Sequence, residues 1–386
     1  MSDRQRYSGR GKAPWRQSGV WLAGDTHAHY RNVGVERLAA EASPFCDFIA
    51  ITSHSHRVDF WKAQHAHVAA ARKTFPNLLI FHGIEWACPV GGHATVLVEP
   101  SRSENTLLSE LWRRHDRWYA PSRPDRIEDA VAALRFLEGQ SHRAASVVIL
   151  NHPSYGRPYT ADDMRRLYDA GDMCVALEGA RGNQSQTSGS EIDPVVRRAG
   201  GVYDALLSEG RRVGLVAASD FHSHVTDGGK TYWPGEFART HVFCPERSYR
   251  GVMAGLRSAA TYFVHGDIIG PLRFTVGWEE REAMLGEILR APRGAEVRIA
   301  LDCIERTPIE RVEFISNNGS PCEFRAARRT RRMRIGPWSR FELRLPRAQH
   351  DFFVRARGVS RGQRKPYRDE SGDMWFYTSA IHVHVS

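Results

Sequence analysis

Residues Trp21–His29 read WLAGDTHAH, a short apolar run leading straight into an acid and two histidines. Successive side chains of an extended strand point to opposite faces, so Asp25, His27 and His29 share one face. A His-x-His pair at the end of a strand sets two imidazoles side by side, a spacing that lets both bind one metal ion. The pattern recurs along the chain. Phe48–His54 (FIAITSH) ends in His54, Leu79–Glu85 (LIFHGIE) in Glu85, and Val147–His152 (VVILNH) in His152. Gly214–His222 (GLVAASDFH) ends in Asp220 and His222, and Gly91–His93 (GGH) sets His93 just before the next apolar run.

Those runs decide the fold class. Gly19–Ala23, Phe48–Ile51, Leu78–Phe81, Ala94–Val98, Ser146–Leu150, Met173–Leu177 and Val213–Ala218 are nearly continuous in apolar residues, as strands buried on both faces are. Helical stretches are expected between them at Val35–Glu41, Trp61–Lys73, Arg126–Glu138, Ala161–Asp169 and Pro194–Glu209. Such alternation argues for parallel β/α units, in a barrel or an open sheet. The carboxyl ends of parallel strands form one rim, where active sites are built. Donors far apart in sequence are therefore expected to converge there. Imidazole and carboxylate without thiolate suit Zn, Mn or Fe rather than a Cys-type structural zinc site.

The pattern changes after about residue 266. Short strands are expected at Leu272–Val276, Glu296–Cys303, Ile309–Ser316, Phe341–Leu345, Phe352–Val359 and Tyr377–Val385, with a hairpin turn at Asn318-Gly319. Only Glu280–Leu289 has a helical period there. The expected organisation is a flexible basic arm (1–18), an α/β metal-dependent hydrolase barrel (19–266) and a small all-β, sandwich-like C-terminal domain (267–386).

Composition bounds the function classes. The chain has 386 residues, 41% hydrophobic, 25% charged and 10% aromatic, which excludes wholesale disorder and a fibrous architecture. No apolar run approaches the roughly 20 residues that span a bilayer, and the polar N-terminus lacks the apolar centre of a secretory signal. Lys plus Arg number 54 against 44 Asp plus Glu, a net charge of +10. This permits an anionic small molecule or nucleic acid as partner. Much of the excess lies in Arg325–Arg334 and Arg355–Arg368, read as solvated surface. Six scattered cysteines without a C-x-x-C pair read as reduced, buried thiols of a cytoplasmic protein.

The motifs together resemble the PHP (polymerase and histidinol phosphatase) superfamily. GDTHAH is similar to its first motif and ITSH to its second, followed in the expected order by HGIEW, GGH, NHP and SDFH. Leu256–Phe263 (LRSAATYF) ahead of a β module is similar to the carbaryl-hydrolase-like subgroup. The resemblance implies a distorted (β/α)7 barrel with two metal ions and room for a third. Carried over by motif, His27, His29 and Asp220 bind the first metal, and Glu85 bridges to a second held by His93 and His152. His54 and His222 serve a third position or, with Asp220, proton transfer. Two departures speak for two metals: Ser53 stands where the second motif usually has Asp, and Tyr30–Arg37 contains no further histidine.

The expected function is a metal-dependent hydrolase that uses a bridging hydroxide to cleave a phosphoester, or an ester-like carbamate or amide bond, of a small, anionic molecule. The alternatives are a metal-dependent nuclease acting on DNA or RNA ends and a non-catalytic, metal-stabilised binding protein. No membrane partner is expected, and oligomeric state is left open. Glu178, Arg181 and His224, with Asn183 and Asp227 near them, are candidates for substrate contact. Trp112, Trp118 and Tyr119 lie in an aromatic, Arg-rich insertion, Ser101–Asp125, that reads as a lid or an oligomer contact. His65 and His67 are read as facing solvent or capping packing, His82 as filling a strand end, and His382 and His384 as surface residues.

Overall fold

The computed structural model describes residues 19–386 apart from 120–125, 143, 181, 183–190, 229–230, 318–324, 328–330, 346 and 365–370. The basic arm, Arg181, Asn183, the Asn318-Gly319 turn and Cys322 lie outside the described residues. The other five cysteines are free and buried. No described helix is long and apolar enough to cross a membrane.

The chain begins β1 (Val20–Ala28), α1 (Val35–Ala42), β2 (Phe48–Ile51), α2 (Val58–Thr74), β3 (Leu79–Ala87) and β4 (His93–Val98). Next come α3 (Glu104–His115), α4 (Ile127–Gly139), β5 (Ser146–Leu150), α5 (Ala161–Tyr168) and β6 (Cys174–Ala180). Then follow α6 (Pro194–Arg197), α7 (Val202–Ser208), β7 (Gly214–Ala217), β8 (Ala238–Cys244), α8 (Tyr249–Arg257) and β9 (Thr261–His265). The expected run Pro194–Glu209 is two helices, because Gly200 at φ +76° breaks it. The insertion carries a helix, α3, whose Leu107, Leu108 and Leu111 are buried.

Strands β1–β2–β3 and β5–β6–β7 pair in parallel, as the alternation predicts, whereas β4 runs antiparallel between β3 and β5. Only Cys88–Gly92 separates β3 from β4, and a parallel crossover needs a dozen residues or more. The strand run curls back on itself: Asp220 N–H donates to His27 O at 3.0 Å and His29 N–H to Phe221 O at 2.9 Å. Two further amides of β7 donate to hydroxyls, Leu215 to Ser379 at 2.9 Å and Ala217 to Thr240 at 2.8 Å. One apolar cluster draws on every strand of the curl: Leu22, Phe48, Phe81, Leu97, Val147, Val175, Val216 and Val242, with Met253 and Leu256 of α8 beneath them. The curled sheet thus encloses a packed floor, and the polar residues lie further along the same strands.

Among its described residues, the C-terminal part forms strands and turns without a helix. It contains β10 (Ile269–Trp278), β11 (Arg281–Met284), β12 (Ile288–Ala291), β13 (Val297–Glu305), β14 (Arg311–Ser316) and β15 (Arg325–Ala327). It ends with β16 (Arg331–Ile335), β17 (Trp338–Leu345), β18 (Phe352–Arg364), β19 (Ser371–Thr378) and β20 (Ile381–Val385). Strands β11-β10-β13-β17-β16 form a separate five-stranded sheet. The rest extend the first sheet, because β9 pairs with both β8 and β19. The two layers meet face to face, with Phe274 stacked on Phe314 at 5.9 Å between ring centroids.

Two expectations are corrected here. Glu280–Leu289 contains a strand and a turn rather than a helix, and Gly286 turns the chain at φ +84°. A side chain at Gly286 would meet Ser258 O at 2.8 Å, so the turn needs glycine. His382 is buried rather than on the surface, because β20 lies between β12 and β18; His384 pairs with Asp351 at 2.7 Å.

Candidate metal centre

Glu85 occupies the inward position of β3 two pleats beyond the floor residue Phe81. Its backbone is fixed on both sides: Glu85 N–H donates to Ser53 O at 3.1 Å, and Ser55 N–H donates to Glu85 O at 2.9 Å. Five imidazoles converge on its carboxylate. Oε1 lies 2.7 Å from His93 Nδ1, 3.3 Å from His152 Nε2 and 3.4 Å from His27 Nε2. Oε2 lies 3.1 Å from His54 Nε2 and 3.3 Å from His29 Nε2. Asp220 closes the other side, with Oδ1 3.1 Å from His29 Nε2 and 3.3 Å from His27 Nε2.

Irregular backbone aims several of these groups. The β1–β2 register shifts between Asp25 and Ala28, which turns His27 and His29 inward where Leu22 and Gly24 had been. Asp25 pins that shift by accepting from His27 N–H at 2.9 Å and Ser219 N–H at 2.9 Å. Burial pushes its carboxyl up to about 6. Asp220 and His152 both adopt left-handed backbone, at φ +45° and +28°. Such strain in non-glycine residues persists only where surrounding contacts enforce it, and it clusters at functional sites.

Three overlapping donor groups emerge, each with its atoms within 4.8 Å of one another: His27, His29, Glu85 and Asp220; His54, Glu85 and His93; and His29, His54 and His222. With ligand bonds of about 2.1 Å, a tetrahedral site has edges of about 3.4 Å. The separations from His27 and His29 to each other, to Asp220 and to one or other Glu85 oxygen are 3.1–3.4 Å, close to that spacing. Glu85 Oε2 and His152 Nδ1 are buried and make no hydrogen bond of good geometry, although His54 and His29 lie close to the former. A nitrogen-and-oxygen donor set with a carboxylate shared between groups fits divalent Zn, Mn or Fe.

Electrostatics separate the inner histidines from the outer ones. Burial alone lowers the pKa of His27, but Glu85, Asp220 and Glu178 outweigh it, and His27 is held well above its ordinary value. His29 and His152 are raised for similar reasons, by Asp220 and Glu85 and by Glu85 and Glu178 respectively. The imidazoles in turn hold the Glu85 and Asp220 carboxyls low despite their burial. At the mouth, burial takes His54 down to about 3 and lowers His222. Their side chains remain 25% and 33% exposed, so both reach the open side of the cluster.

All eight residues expected to bind metal are thus brought together, His152 through Glu85. Two expected substrate contacts are not on the rim. Glu178 lies within β6, 1% exposed, with Oε1 2.9 Å from His27 Nδ1 and Oε2 accepting from His152 N–H at 2.8 Å. The run CVALE does not end at the mouth: the strand continues to Ala180, and the inward alternation from Ala176 leads to Glu178. His224 is buried and stacked on Trp233 at 4.7 Å, with Nδ1 2.6 Å from Thr226 Oγ1 and Nε2 3.1 Å from Glu236. It holds the loop that carries His222, and Asp227 pairs with Arg37 at 3.0 Å.

Other histidines also have specific places. His65 is 37% exposed and lies 3.1 Å from Glu104, which Arg72 also engages, and this ties α2 to the insertion helix. His82 pairs with Gln64 at 2.9 Å on the outer side of β3. Gln64, which sequence reasoning missed, clamps β2 to β3 by accepting from Ser53 N–H at 3.0 Å and donating to Ile51 O and Gly83 O at 2.7 Å each. The insertion reaches the mouth: Asp116 accepts from Ala87 N–H and Trp118 N–H, and the half-exposed Trp118 ring lies 5.6 Å from His56.

No family model matches the chain, and no curated protein matches it. Among solved structures, it is similar to a two-domain protein from Bacteroides vulgatus containing a predicted PHP-like metal-dependent phosphoesterase. The likeness has 16% identity and a TM-score of 0.45, and it covers 94% of this chain and 96% of the other.

Proposed function

We propose that this chain is a metal-dependent hydrolase with a centre for two divalent cations, Zn, Mn or Fe, and a third position between His29, His54 and His222. The reading includes a PHP-type (β/α)7 barrel for the curled part of the sheet. The observation that carries it is the convergence of five imidazoles on the two oxygens of Glu85. A carboxylate shared by adjacent donor groups is what a two-cation centre requires. His27, His29 and Asp220 would hold one cation, His93 and His152 the second, and Glu85 both. When bound, such cations supply Lewis-acid charge and a water acidic enough to act as a nucleophile near neutral pH.

The chain's own groups complete the chemistry. Burial disfavours the protonated form of both His54 and His222, which suits them to accept a proton or donate a lone pair rather than act as acids. The favoured substrate is a small phosphoester, whose in-line displacement a pair of cations stabilises at both the attacking and leaving oxygens. An ester-like carbamate is the alternative bond. A nuclease needs a continuous basic track, but Arg332, Arg355 and Arg357 of the Arg-rich runs are engaged by Glu305, Asp204 and Glu313.

The test is chelation, reconstitution with Zn, Mn or Fe, and a screen of chromogenic phosphomonoesters, phosphodiesters and aryl carbamates. His27→Ala and Glu85→Ala are expected to lose both metal and turnover. Full metal content in both variants would overturn the centre, and no turnover on any substrate would leave a metal-stabilised binding protein.

A further inference from the structure

We infer that Glu178 is the positioning residue of this centre: it fixes the tautomer of His27 and holds the strained backbone of His152. The inference rests on the metal-centre reading above. Glu178 projects from β6 into the curl and reaches two elements that do not follow each other in the chain. One oxygen lies 2.9 Å from His27 Nδ1, and the other accepts from His152 N–H at 2.8 Å.

A carboxylate oxygen only accepts hydrogen bonds, so the His27 proton belongs on Nδ1. The lone pair is then on Nε2, the atom that lies 3.1 Å from His29 Nε2, 3.3 Å from Asp220 and 3.4 Å from Glu85. A carboxylate behind a ligating imidazole also raises its basicity and fixes its ring plane. The second oxygen acts on the backbone. His152 sits at φ +28°, which a non-glycine residue adopts only under constraint. The bond to its N–H is one such constraint, and it sets the turn that brings His152 Nε2 to 3.3 Å from Glu85. One buried carboxylate thereby orients a donor of each proposed cation.

This explains why the position needs an acid. In Glu178→Gln the amide has one acceptor and one donor, so its N–H2 must face either His27 Nδ1–H or His152 N–H. Moving the His27 proton to Nε2 relieves the first conflict, and that blocks the nitrogen aimed at the centre. Glu178→Asp keeps both acceptors but is shorter by one methylene.

The experiment measures Zn and Mn affinity by chelator competition for the wild-type protein, Glu178→Gln, Glu178→Asp and Glu85→Ala, with thermal midpoints recorded in excess chelator. Assayed below its midpoint in chelator, Glu178→Gln is expected to bind metal about 10- to 100-fold more weakly, and Glu178→Asp to fall between it and the wild type. Nitrogen NMR of the Zn-loaded wild-type protein is expected to show the His27 proton on Nδ1, and this decides the matter if Glu178→Gln does not fold. Wild-type affinity in folded Glu178→Gln or a proton on Nε2 of wild-type His27 would each overturn the proposal. If Glu85→Ala loses its metal while Glu178→Gln keeps it, only the role of Glu178 fails. If both keep it, the centre itself is misplaced.

Discussion

Charge is buried in opposite ways at two of the places where the described residues enclose it. At the seam between the curled sheet and the C-terminal strands, Asp204 of α7 meets Arg355 of β18, both fully buried. The pair is bidentate, at 2.5 and 3.0 Å, and Asp204 also accepts from Gly200 N–H while Arg355 donates to Val196 O. At the centre, Glu85 faces five imidazoles, yet one of its oxygens makes no hydrogen bond. The first arrangement pairs one positive with one negative charge and leaves a single Arg355 nitrogen, Nη1, without a hydrogen bond. The second holds donors in a geometry that only an additional cation or protons satisfy. Burial marks both places, so burial alone does not indicate function; the surplus of donors over partners does.

Breaking the closed pair is expected to have the largest effect on stability. Arg355→Ala leaves Asp204 buried without its counter-charge, and removing one partner of a buried pair costs about 3–5 kcal/mol. Urea unfolding measures this. Metal binding by the remaining folded protein is expected to match the wild type. Arg355→Met with Asp204→Leu is expected to recover much of the loss, because a well-packed apolar replacement leaves no uncompensated charge.

The open cluster should behave in the reverse manner. A cation bound only by the folded state stabilises it by about 2.7 kcal/mol at 100 times its dissociation constant. Chelation is therefore expected to lower the wild-type midpoint of thermal unfolding and to leave Glu85→Gln unchanged. Low pH should mimic the chelator, because protons compete with metal for His27, His29 and His152, whose pKa values are raised. Equal chelator sensitivity in Glu85→Gln would remove the distinction between the two regions.

The same contrast explains what the sequence revealed. Strand-end donors were legible because the parallel runs carry their inward residues to one rim, so His27, His29, Glu85, His152 and Asp220 could be gathered from local patterns alone. Closed partnerships were not legible, since they depend on which distant element packs opposite. Nothing near Arg355 in the sequence points to Asp204. His224 followed the last motif like a further rim residue, yet Glu236 and Trp233 pack around it. Glu178 looked terminal because its apolar run stops there, although its strand does not. The insertion helix left a readable signal in the spacing of Leu107, Leu108 and Leu111, obscured by the arginines and tryptophans around them. The antiparallel β4 was also readable, from the short link between Ala87 and His93.

His82 tests an intermediate case, a buried titratable group away from the centre. Burial, aided by His65 and Arg72, lowers its pKa from 6.5 to about 3. The folded state thus binds fewer protons than the unfolded state between those values, and stability falls as pH drops through this window and is unaffected by His82 above it. The expected contribution is up to about 1.4 kcal/mol per pH unit. His82→Asn keeps an acceptor for Gln64 and does not titrate. Its stability, compared with that of the wild type at pH 7 and pH 5.5, should show the shallower acid loss; parallel curves would place the acid sensitivity elsewhere, in the centre's own histidines.

The smallest effect is expected where the chemistry of Arg355 and Asp204 is repeated at the surface. Arg165 Nε lies 3.0 Å from both oxygens of Glu209, and its Nη2 lies 2.8 Å from one of them, but both side chains are 35% exposed. The hydrogen-bond geometry is as good as at the seam, so any difference in energy comes from solvent. In water the charges are screened, and neither is stranded when its partner is removed. Arg165→Ala is therefore expected to change stability by no more than about 0.5 kcal/mol, less in high salt, with Arg211 still beside Glu209. Urea unfolding of Arg165→Ala and Arg355→Ala at two salt concentrations isolates burial as the variable. A loss at Arg165 equal to that at Arg355 would mean that bond geometry rather than desolvation sets the strength of these pairs, and the contrast between a closed buried pair and an open donor cluster would lose its physical basis.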